Sequence, residues 1–158
     1  MDGRLRAGLA AALLFWPAGL GAAEVEWNLS NKDGRAFLSG MPRESEVDNE
    51  LWAHCRADGA IDIGAGAESH VGRGAGEAVT LRLASGRKKA TLTGVSRESA
   101  NVQMTGGVEL RATVARDHPV FAVLATGKPI FVSGPIKKLT WAVKGLKAEV
   151  AAFLRACK

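Results

Sequence analysis

The chain has 158 residues, 47% apolar and 23% charged, with 19 Gly, 2 Cys and no Tyr. That balance excludes a collagen-like, disulfide-dense or strongly disordered chain, and the length excludes a large multidomain enzyme. The net charge of +5 hides a division: residues 24–70 hold ten acids against four bases, whereas residues 71–158 hold fifteen bases against five acids.

Arg4 and Arg6 precede a charge-free run at residues 7–20, and Gly21, Ala22 and Ala23 follow with the small side chains a signal peptidase reads. This is the three-part pattern of a secretory signal peptide. The run falls short of the about 20 residues of a membrane-spanning helix, and Pro17 interrupts it. Residues 1–23 are therefore expected to be a cleaved signal peptide. Residues 24–158 are expected to be a single exported β-rich domain, periplasmic or secreted, with no transmembrane segment of its own.

Residues 25–29 alternate apolar and polar as a half-buried strand does. Asp33 and Gly34 supply a turn, and residues 35–39 return to complete a hairpin. Gly40 and Pro42 break it. Residues 43–50, with Glu44, Glu46, Asp48 and Glu50, read as a solvated acidic loop. Residues 51–55 and 60–63 form a second pair around Asp58 and Gly59. Residues 64–76 hold five of the glycines and read as a mobile loop. No nucleotide fingerprint fits there, because Ser69 stands where a third glycine is needed and no Gly-Lys-Ser/Thr ends the run.

Residues 79–83 and 89–93 alternate around Ser85 and Gly86, the clearest hairpin in the chain. Residues 101–105 and 108–114 read as another pair about Gly106 and Gly107. Asp117 reads as a helix cap with Pro119 in the first turn, and Gly127 ends that short helix. Residues 129–133 and 136–143 return to strand. The end changes period: Leu146, Val150, Phe153, Leu154 and Cys157 lie on one face of a helix.

Cys55 and Cys157 are the two cysteines, and neither has a partner at zinc-ligand spacing. An exported chain keeps disulfides, and Cys157 falls on the apolar stripe of the helix, where a bond to a buried strand would form. One Cys55–Cys157 bridge is expected. The expected fold is mainly β: an antiparallel β-sandwich or open barrel with a C-terminal α-helix and this disulfide.

The run LATGKPIFV at 124–132, the strand through Trp141 and the run GLKAEVAAFLRAC at 145–157 resemble the C-terminal half of VasI-like accessory proteins associated with type VI secretion. The run LWAHC at 51–55 is similar to their cysteine-bearing strand. The resemblance implies the same strand–helix ending and disulfide, and an accessory role in secretion. It transfers no catalytic residue.

Candidate chemistry is sparse. His54, His70 and His118 lack ligand spacing, so no metal or cofactor is expected. No nucleophile motif is present, and no enzymatic activity is expected. Trp27, Trp52 and Trp141 read as core residues rather than a carbohydrate platform. Lys128, Lys137, Lys138, Lys144 and Lys147 make the C-terminal stretch a candidate binding surface for peptidoglycan or anionic lipid. Nucleic acid is not an expected partner, since no basic helix carries interleaved aromatics. The leading expectation is a non-enzymatic envelope protein that binds or stabilises a partner protein. The alternatives are an inhibitor of a lysozyme or protease, and a cell-wall or anionic-lipid binder.

Overall fold

The computed structural model describes residues 24–43, 50–66, 71–100 and 106–157, apart from the side chains of Lys137 and Lys138. The expected signal peptide, Glu44, Glu46, Asp48, His70 and the strand expected at 101–105 lie outside the described residues.

Among the described residues nine strands form one antiparallel sheet: β1 (Val25–Lys32), β2 (Arg35–Pro42), β3 (Leu51–Cys55), β4 (Ile61–Ala65), β5 (Ala75–Ser85), β6 (Lys88–Glu98), β7 (Val108–Val114), β8 (Ile130–Gly134) and β9 (Ile136–Trp141). Their order is β1-β2-β3-β4-β7-β6-β5-β8-β9, and the sheet curls into a nearly closed barrel. The described residues also form two helices, α1 (Pro119–Leu124) and α2 (Leu146–Ala156). The open barrel, rather than the sandwich, is the fold.

Alternation sets what faces inward. Leu51, Ala53 and Cys55 of β3 oppose Ala65, Ile63 and Ile61 of β4, and all six are buried. On β5 and β6 the pairs Leu81–Leu92 and Leu83–Ala90 continue the same apolar lining. α1 packs against β5 and β6, and α2 against β1 and β2. Phe121 and Phe153 join the helices with ring centroids 6.2 Å apart. The helical stripe expected from sequence is borne out, with Leu146, Val150 and Phe153 buried. The Cys55–Cys157 disulfide ties its end to β3 across 102 residues, with Cα atoms 5.5 Å apart.

The two edge strands meet through tryptophan rather than a backbone ladder. Trp27 of β1 and Trp141 of β9 pack edge to face at 6.3 Å, and Trp27 Nε1 donates to the Ala142 carbonyl at 2.9 Å. Gly40, opposite Trp27 in the register, has no side chain because the indole occupies that space. In the β1–β2 turn Asp33 and Gly34 both have positive φ (53° and 75°), the requirement of a type I′ hairpin.

Four expectations change. β7 takes its described partners from β6, through Val95–Glu98, and from β4, through Ile61–Ala65. Glu50, read as part of a solvated loop, is buried, with its N–H donating to Gly40 and its carbonyl accepting from Gly66. The glycine-rich stretch is divided: residues 64–65 end β4 and residues 75–76 open β5. Residues 71–75 are pinned, since Glu77 accepts from the N–H groups of Arg73 and Ala75 and Ser96 Oγ accepts from Gly74 and donates to Val71. Those backbone bonds, Arg73 first, hold the Glu77 carboxyl below its ordinary range.

The fourth change is the cap of α1, which is His118 and not Asp117. His118 Nδ1 accepts from the Val120 N–H at 3.2 Å, with Pro119 in the first turn as expected. Partial burial lowers the His118 pKa, and the neighbouring Asp117 charge only partly opposes this. The folded state thus takes up a proton less readily than the unfolded chain. The cap's contribution is complete above about pH 6.5 and is lost as pH falls through the lower folded value. His118→Asn keeps an acceptor that does not titrate, so thermal melts of this variant should lose part of the wild-type decline between about pH 7 and pH 5.

Candidate functional site

Since Leu51, Ala53 and Cys55 face inward, Trp52 and His54 must face outward. Trp27 and Trp141 are core residues, as expected; Trp52 is not, and stands half-buried on the outer face. Its indole lies across Gly64, the residue opposite it on β4. Nε1 donates to Glu109 Oε2 at 2.9 Å, and the Arg111 guanidinium sits 5.8 Å from the ring centroid. Arg111 Nε in turn donates to Glu109 Oε1 at 2.7 Å. Glu109, with its side chain only 3% exposed, is therefore the post that fixes both the ring and the cation. Sequence reasoning did not single it out.

Phe37 of β2 extends this face. Its ring lies 6.2 Å from that of Trp52, inclined by 20°, and 6.0 Å from His54. Lys32 Nζ stands 5.2 Å from the Phe37 centroid, and His54 Nε2 is 3.2 Å from the Lys32 carbonyl. On the other side Asp62 accepts from Thr113 Oγ1 at 2.6 Å and pairs with Arg56 at 3.5 Å. Arg56 also pairs with Asp58, whose carboxyl is held below its ordinary range first by the Ala60 N–H and then by Arg56. Two open depressions flank Asp62: one of about 310 Å³ beside Trp52, Arg111 and Thr113, the other of about 340 Å³ beside His54, Arg56 and Asp58.

Each acid at the centre of this face is committed to donors, Glu109 to an indole and a guanidinium, Asp62 to a hydroxyl and a guanidinium. The arrangement presents aromatic surface and fixed charge. Among the described residues no three His, Cys, Asp or Glu side chains are grouped to hold a metal ion. Gly64→Val would drive a side chain into the indole. It is expected to cost about 1–3 kcal/mol, typical of overpacking, and to shift Trp fluorescence as the ring leaves the sheet; an unchanged spectrum and melting point would contradict the placement of Trp52.

The basic residues expected to form a surface are partly gathered. Lys128, Lys144 and Lys147 are exposed; Lys144 and Lys147 line a depression of about 520 Å³ with Gly127, next to Lys128. Lys137 and Lys138 lie on β9, with side chains outside the described residues. Sequence alone did not show that the β5–β6 turn, carrying Arg87 and Lys88, joins them. Buried Ser85 links that turn to the next by contacting Thr126 Oγ1 at 2.6 Å and donating to the Lys128 carbonyl at 2.9 Å.

No protein-family model matches the chain, and no curated protein or solved structure is similar enough to count as a relative. The disulfide fits an oxidising, non-cytoplasmic compartment. Among the described residues no helix is long and apolar enough to cross a membrane.

Proposed function

We propose that the protein is a non-enzymatic binding module, exported through residues 1–23, that grips an envelope partner protein with the outer face of β2, β3, β4 and β7. The single observation that supports this reading is the set Phe37, Trp52 and Arg111 on that face, with Trp52 and Arg111 held by Glu109 and Gly64 and Phe37 stacked on Trp52. Aromatic residues and arginine dominate binding energy at protein interfaces, and anchors fixed before binding lose little entropy when they engage. Four adjacent strands give a face about 14 Å wide. The carboxylates there position neighbours, which favours recognition over catalysis. An accessory role in secretion, implied by the resemblance of residues 124–132 and 145–157, is one form of this activity.

The test is affinity capture from intact cells after cross-linking, with the chain expressed behind its own residues 1–23. One protein is expected at stoichiometric yield with wild type. Arg111→Ala and Phe37→Ala are each expected to weaken its retention by at least about 30-fold, the effect of losing an interface anchor, while keeping the disulfide and a cooperative melt. Equal retention by wild type and both variants would overturn the assignment of this face.

A further inference from the structure

The basic end has a chemistry that the partner-binding face does not use. Arg87 and Lys88 at the β5–β6 turn, Lys128 after α1, and Lys144 and Lys147 at the start of α2 are all exposed. None of the five forms an ion pair among the described residues. Lys128 runs alongside Gly86, and the Ser85 hydroxyl holds the two turns together. The cations therefore converge because the fold pins them, although charge repulsion opposes it.

Two of them, Lys144 and Lys147, line a depression of about 520 Å³ together with Gly127, Val143, Gly145, Ala148 and Ala151, a lining that is otherwise small and apolar. The first turn of α2 has no side-chain cap, so its backbone N–H groups add positive potential there, partly offset by Glu149. Phe131, three residues beyond Lys128 in the chain, is 58% exposed on the outer side of β8.

We infer that this end docks on the surface of an anionic phospholipid bilayer, with head-group phosphates at Lys128, Lys144 and Lys147 and Phe131 reaching the interfacial layer. Exposed cations next to apolar lining and an exposed aromatic ring match a bilayer surface, where anionic phosphates lie directly above glyceryl and acyl carbons. Aromatic side chains favour the bilayer interface. This surface lies on β5, β8 and α2, apart from the β2–β3–β4–β7 face, so both can be occupied together.

The experiment is co-sedimentation of the mature chain with vesicles of phosphatidylglycerol and phosphatidylcholine in a one-to-two ratio, against vesicles of phosphatidylcholine alone. Binding is expected only to the first, and is lost at about 0.5 M salt, where the screening length falls to about 4 Å. The triple variant Lys128→Gln/Lys144→Gln/Lys147→Gln should bind about 100-fold more weakly, at about fivefold per cation near an anionic surface. Arg35→Gln/Arg97→Gln removes two exposed cations elsewhere and should change binding by less than about threefold. The inference is overturned by equal binding to both vesicle types, by an equal loss in the Arg35/Arg97 variant, or by retention on peptidoglycan or an acidic protein without vesicle binding.

Discussion

Replacing both cysteines, Cys55→Ala/Cys157→Ala, is expected to lower stability by about 3–4 kcal/mol, which for a domain of this size moves Tm down by about 10–15 °C. The bridge closes a loop spanning 102 positions, so most of its effect comes from restricting the unfolded chain, and loops of that length gain most in principle. It also fastens the last turn of α2 to an inward position of β3 between Ala53 and the β3–β4 turn. Both sulfurs belong to buried residues, so alanine is a milder test than serine, which would leave hydroxyl groups in an apolar setting. The reduced wild type and the double variant should melt together. A melting point indifferent to reductant would contradict the closure of α2 onto the sheet.

Trp141→Ala should cost about 3–5 kcal/mol, the range for deleting a large buried aromatic. Trp141 is fully buried and meets Trp27 where the first and last strands approach without a ladder. Its loss leaves a cavity at the seam and removes the support under the Trp27–Ala142 hydrogen bond. Trp141→Phe should be far milder, within about 2 kcal/mol, because it keeps a ring against Trp27 and removes an indole N–H that has no partner among the described residues. Urea unfolding of the two variants separates these outcomes. Comparable losses would mean the seam depends on the whole indole and not on ring packing.

The parts of this fold that sequence makes legible are those specified locally. Asp33–Gly34 and Ser85–Gly86 announce hairpins through turn chemistry, and the stripe from Leu146 to Cys157 announces α2 through its period. The pairing of Cys55 with Cys157 follows because the stripe places Cys157 on an apolar face. The β4–β7 and β5–β8 pairings join segments far apart in the chain, and no local pattern encodes such a register. Trp52 was within reach, since fixing Cys55 inward fixes Trp52 and His54 outward by simple alternation. Glu109 was not: a lone acid in a strand gives no sign of an indole and a guanidinium arriving from β3 and from its own strand. Likewise Ser85 carries no mark of the contact that brings Arg87 and Lys88 toward Lys128.

The aromatic face of β2 and β3 is the place proposed here for a partner protein to bind. Its most direct test is site-specific photo-cross-linking in intact cells, with a benzophenone-bearing phenylalanine, which keeps an aromatic ring, at position 37 on that face or at position 91, exposed on β6. One protein joined from position 37 and not from position 91, and lost when Arg111→Ala is added, is the predicted result. A product formed equally from both positions, or only from position 91, would contradict it.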